Sequence, residues 1–120
     1  MAKEKKYKLY SDSDSQIEYQ RQELVGVLNK MEAEKELTRK FTIDELIEIS
    51  ISRARKYGEP LDLNIKLHLV HDGWATAQIP VRTGDMDNAN IRDFSGGGVY
   101  LDIALMNLIV NLENNESAVG

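Results

Sequence analysis

Two runs of strict alternation flank one Asp-Gly corner, and they restrict this chain more than any other feature. In "LDLNIKLHLV", Leu61, Leu63, Ile65, Leu67 and Leu69 alternate with Asp62, Asn64, Lys66 and His68. In "WATAQIPV", Ala75, Ala77, Ile79 and Val81 alternate with Thr76, Gln78 and Pro80. A period of two marks a half-buried strand, so the pair predicts an antiparallel hairpin. A two-residue Asp72-Gly73 turn would oppose His71 to Trp74 and mix apolar with polar along each face. A three-residue loop, His71-Asp72-Gly73, instead opposes Val70 to Trp74, Leu69 to Ala75, Leu67 to Ala77, Ile65 to Ile79 and Leu63 to Val81. The other face then receives Lys66 with Gln78 and His68 with Thr76. A one-residue slip sends every side chain to the opposite face, which decides between the two loops. Gly73 also suits the left-handed position of the bulged turn. Trp74 and Val70 therefore stand on the polar face, away from the main core.

Helical signals lie on either side of this hairpin. Ser15 and Glu18 have capping-box spacing, and a narrow stripe of Ile17, Leu24, Leu28 and Met31 continues to about Leu37. "FTIDEL" sets Thr42 at an N-cap with Glu45 three residues on, and Phe41 against Leu46 as a hydrophobic staple. Ile43, Leu46, Ile47, Ser50, Ala54 and Tyr57 form the inward stripe of that second helix, and Gly58 with Pro60 ends it. Pro80 favours a sheet edge or a strand end, because it has no amide to donate. "ANIRDF" reads as a third short strand, and "SGGG" as a flexible connection. The run "VYLDIALMNLIVNLEN" favours a helix over 99–112, apolar on two sides, which points to a sandwiched or shared element. The alternation of Val99, Leu101, Ile103 and Leu105 would suit a strand instead.

Size and charge bound the function. A chain of 120 residues with 42% apolar and 29% charged residues fits one globular domain. There is no cysteine, which removes disulfides and thiolate metal sites and suits a cytoplasmic location. Lys3, Lys5, Lys6 and Lys8 against Glu4 give the first eight residues +3, leaving −8 of the net −5 on the rest. Such an acidic body opposes broad phosphate-backbone binding, although a basic arm remains. "MAKEKKYKLY" has no apolar region of a secretory signal, and "IALMNLIV" is too short to span a membrane. The expected organisation is a basic disordered arm over 1–12, a single α+β domain over 13–114 and a disordered tail over 115–120.

Candidate chemistry is sparse. Gly96, Gly97 and Gly98 before a helix invite an anion-cradle reading with Arg92 beside them, but neither a Gly-Lys-Ser/Thr nor a GxGxxG pattern is present. Asp85 and Asp87 open like a calcium loop, yet Ala89, Asn90 and Gly96 fall where ligands or the turn glycine belong. His68 and His71, three apart on a strand, point to opposite faces and have no third ligand nearby. No serine stands in a nucleophile elbow. The expectation is a protein with no catalytic residues, no metal and no cofactor. The remaining site candidate is Trp74 with Val70, His68 and Thr76 on the polar sheet face, since tryptophan is enriched at interface hot spots.

Asp72-Gly73-Trp74, the strand around Ile91 to Phe94, and Ala104-Leu105 in the last helix together resemble HicB-like, partial-ferredoxin small domains over about residues 61–112. Two helices precede the unit here, and no DNA-binding segment follows it, unlike in that family. The resemblance implies a protein that binds a partner protein and oligomerises, and it assigns no site residue.

The combined expectation is an α+β fold: two N-terminal helices, an antiparallel sheet of two or three strands, and a C-terminal helix. Its function is that of a non-enzymatic binding protein, a homodimer or higher oligomer, that modulates a protein partner. The lack of housekeeping signatures suits an accessory protein of a phage or mobile element. The alternative is a nucleotide or single-stranded nucleic-acid binding protein that uses the Gly96–Gly98 loop, Arg92 and the basic arm.

Overall fold

A computed structural model describes residues 2–32, 39–68, 74–84 and 89–116, with side chains described over 16–32, 39–67, 74–84 and 89–116. The contacts divide the chain into two compact units, Met1–Arg39 and Lys40–Gly120. Among the described residues the architecture is α+β, with three helices and a four-stranded antiparallel sheet, one strand more than expected.

The first unit is built on α1, Ala2–Met31. Helical backbone runs through Ser15, so the capping box expected there is not a helix start, and the lysine-rich residues expected as a disordered arm belong to the helix. Val25, Leu28 and Asn29 are its buried residues. The Asn29 amide donates to the carbonyls of Val25 and Arg39, each at 2.9 Å, which holds the chain beyond the helix to its last turns. The expected continuation to Leu37 lies outside the described residues.

The second unit opens on α2, Ile43–Ala54, and its capping box forms as read. The Thr42 hydroxyl accepts from the Glu45 amide at 3.1 Å, and the Glu45 carboxylate accepts from the Thr42 amide at 3.0 Å. Leu46, Ser50, Arg53 and Ala54 are buried. Gly58 serves the fold by a close approach: a Cβ there would stand 2.1 Å from the Arg82 carbonyl oxygen.

Four strands follow: β1 (Glu59–Pro60), β2 (Asn64–His68), β3 (Trp74–Thr83) and β4 (Asn90–Gly98). β3 is central. β4 pairs with it from Ala75 to Thr83, while β1 and β2 succeed one another along its other side. The register of β2 on β3 sets His68 opposite Trp74, Leu67 opposite Ala75, Lys66 opposite Thr76, Ile65 opposite Ala77 and Asn64 opposite Gln78. This corrects the expected pairing by two residues. Because the slip is even, the faces are unchanged: Ala75, Ala77, Ile79 and Val81 are buried and Trp74 lies on the opposite face. The anchor is β1. Glu59 opposite Arg82 and Pro60 opposite Val81 occupy the place expected for Leu63, and the Leu61 amide donates to the Pro80 carbonyl at 2.8 Å. The expected loop His71-Asp72-Gly73 lies outside the described residues, as do Asp85 and Asp87.

Pro80 stands in the central strand, against the expectation of an edge. Its missing amide faces the interruption between β1 and β2, where no ladder bond is called for. β4 is also longer than expected, because Ser95 to Gly98, read as a connection, complete the strand.

Helix α3, Leu101–Glu113, settles the helix-or-strand ambiguity. It lies on the inner sheet face, and both of its apolar stripes are covered, with Ile103 to Met106, Leu108, Ile109 and Leu112 buried. Gly96 and Gly98 let it approach, since a Cβ would stand 2.2 Å from the Leu108 nitrogen and 2.6 Å from Ile103 Cγ2 respectively. Asn107 and Asn111, one turn apart, donate to the carbonyls of Gly97 (2.9 Å) and Ser95 (2.7 Å). On its other side α3 packs against α2, where Arg53 pairs with Glu113 and the Tyr57 hydroxyl donates to the Leu112 carbonyl. Asn115, at φ 58°, closes the helix: its amide donates to Leu112, and that of Glu116 donates to Asn111. The start of the tail expected to be disordered over 115–120 is thus an ordered cap.

Candidate partner-binding face

The strand registers assign residues to the sheet face opposite α3. Asn64, Lys66 and His68 come from β2; Trp74, Thr76, Gln78, Pro80 and Arg82 from β3; Ile91, Asp93, Ser95 and Gly97 from β4. Successive side chains on a strand alternate between faces, so this set follows from pairing alone. Both α2 and α3 belong to the other side: α3 crosses Gly96 and Gly98, and Tyr57 in the turn after α2 stacks on Phe94 with ring centroids 5.2 Å apart.

Trp74 is the largest side chain on this face and is 50% exposed. Its indole lies against the backbone of Gly97, where a Cβ would meet Cζ2 at 2.8 Å and Nε1 at 3.0 Å. A flat backbone platform beneath an aromatic ring limits the ring's rotation. Exposed Ile91 marks the far end of the face, and the middle carries Lys66, Thr76, Gln78 and Ser95.

The expected site residues are only partly brought together. Trp74 and Thr76 share the face on β3. The backbone of His68 is the cross-strand partner of Trp74, where Thr76 was the expected partner, and the His68 side chain lies outside the described residues. Val70 lies outside them as well. Gly97 is the residue that sequence reasoning missed in this role. Its signal was visible only as part of a triple glycine, which carries no alternation.

No protein-family model, curated protein or solved structure matches this chain.

The expected anion site is rearranged. Gly96, Gly97 and Gly98 belong to β4, which corrects the loop reading, and α3 fills the space in front of Gly96 and Gly98. Arg92 sits four residues from Gly96, about 13 Å along a strand. Its guanidinium lies 5.4 Å from the Tyr57 ring centre and 5.0 Å from that of Phe94, and it donates to Asn115 at 2.6 Å. That geometry ties Arg92 to the α3 cap. Among the described residues no group of three His, Asp or Glu side chains is arranged to hold a metal ion, and no helix is long and apolar enough to cross a membrane.

Proposed function

We propose that this protein is a non-enzymatic binding protein that engages a partner protein through the outer sheet face, with Trp74 as the anchor. The supporting observation is the half-exposed indole resting on Gly97. A large ring already restrained before contact loses little freedom on binding, which is why tryptophan dominates many interfaces. The polar middle of the face would form the hydrogen-bonding surround. The HicB-like resemblance leads to the same class of function, and in this reading the protein is a cytoplasmic accessory factor of a phage or mobile element that modulates its partner.

The test compares immobilised wild type with Trp74→Ala, using host extract and mass spectrometry of what each retains. A protein held by the wild type and lost from the variant, with unchanged circular dichroism, is expected. The affinity loss should be tenfold or more, in line with hot-spot truncations of about 2 kcal/mol. Equal retention by both would refute the reading. Steeply salt-dependent binding of labelled oligonucleotides would favour the nucleic-acid alternative instead.

A further inference from the structure

We propose that Asn107 is a positioning residue for Trp74: by holding the Gly97 carbonyl from α3, it fixes the piece of backbone on which the indole rests. Asparagine is unfavourable inside a helix, because its short amide competes with the backbone for hydrogen bonds. Asn107 nevertheless stands in the middle of α3, between buried Met106 and Leu108. So far from either end its amide caps nothing, and it donates across to the Gly97 carbonyl at 2.9 Å.

That bond meets a need of the strand. Gly96, Gly97 and Gly98 are the last three residues of β4, so the strand ends without side chains to stiffen it. Nor does the ladder hold Gly97 directly. Its carbonyl points to α3, away from β3, and antiparallel strands alternate bonded and non-bonded pairs. The Gly97–Thr76 pair is therefore a non-bonded one. The ladder bonds fall to Gly96 and Gly98 on either side, opposite Ala77 and Ala75.

The ring lies on this same residue. A Cβ at Gly97 would meet Cζ2, Nε1 and Cε2 of the indole within 3.1 Å. A peptide that rocks there carries the contact surface of the ring with it. A binding group is only as ordered as the residues that support it, so Asn107 ties the order of the anchor to α3. Releasing the peptide would return to the complex the ordering cost that a restrained ring avoids. This last step rests on the proposed role of Trp74; the order of the ring does not.

Asn111 is the internal control. It makes the same kind of bond from the next turn of α3, to the Ser95 carbonyl at 2.7 Å. Ser95 is two residues, or about 7 Å along the strand, from the ring contact. Loss of either amide loosens the seam between helix and strand, but only loss of Asn107 frees the residue beneath the ring.

The chain has one tryptophan, so its fluorescence reports this ring alone. In Asn107→Ala the subnanosecond loss of anisotropy should grow and the emission should shift. The order parameter of the Gly97 amide should fall from about 0.85, typical of rigid backbone, to below about 0.6. Asn111→Ala should leave all three at their wild-type values. Asn107→Asp keeps the shape but not the donor, since an ionised carboxylate only accepts, and should behave as Asn107→Ala. Wild-type values in Asn107→Ala or in Asn107→Asp would overturn the inference, as would equal changes in Asn111→Ala. If one of the two position-107 variants loses the wild-type circular dichroism, the other is read by the same criteria. Loss of the fold in both would also overturn it, because the bond would then hold the unit and not the ring. With partner retention as the readout, Asn107→Ala should weaken binding and Asn111→Ala should not. Retention undiminished by Trp74→Ala would refute the role of the face and leave the ring measurements standing. An unmoved ring in Asn107→Ala refutes the positioning role whatever the partner does.

Discussion

The indole of Trp74 and the α-carbon of Gly97 are in such close contact that one added methyl group would stand 2.8 Å from Cζ2. Gly97→Ala should lift the ring off the sheet. The cost in stability is expected to stay within about 1 kcal/mol, because the neighbour that must yield is an exposed side chain. Emission of the single tryptophan should shift, and partner binding should fall as for Trp74→Ala. An unchanged emission spectrum would contradict this contact.

The neighbouring glycine should behave differently. At Gly96 the same methyl group would meet backbone, at 2.2 Å from the Leu108 nitrogen and 2.4 Å from the Ala104 carbonyl oxygen. Gly96→Ala must push α3 off the sheet. A loss of about 3 kcal/mol or more is expected, at the upper end of overpacking costs. Urea denaturation measures it, and a loss no greater than that of Gly97→Ala would contradict the packing described.

Asn107 and Asn111 bind the helix to the border of β4. Asn107→Ala and Asn111→Ala should each cost about 1 kcal/mol, the usual net value of one hydrogen bond. The denaturation midpoint should fall while its slope stays constant. A neutral result at both positions would mean that the amide contacts contribute nothing to stability.

Thr42 caps α2 with a reciprocal pair of bonds to Glu45. Thr42→Ala should lower stability by about 1 kcal/mol, whereas Thr42→Ser should retain most of it. Equal melting temperatures for the two variants would show that the hydroxyl plays no part.

These features differ in how far the sequence reveals them, and the difference is physical. The cap of α2 is local chemistry over four residues, so Thr42 and Glu45 could be read directly. The two faces of the hairpin were legible because parity survives any even slip. The slip itself was not, since Ile65 meets an apolar partner whether it faces Ile79 or Ala77. What chooses is the seat of Gly58 against the Arg82 carbonyl, a contact between residues far apart in the chain. β4 was only half visible because glycine has no side chain with which to alternate. The reason for its glycines lies on α3, at Ala104 and Leu108. Trp74 could be placed on its face in advance, but its platform could not. The early start of α1 was hidden by Ser15, whose capping pattern recurs inside a longer helix.

The paired amides of α3 make helix and strand measure one another. Positions 107 and 111 are four apart along a spiral, and carbonyls 95 and 97 are two apart along a nearly straight path, so the spans match at about 6 to 7 Å. Inserting one residue between the two asparagines would swing one of them about 100° around the axis and break the match. Length changes should therefore be rejected here, which makes this seam the dimensional reference for the unit.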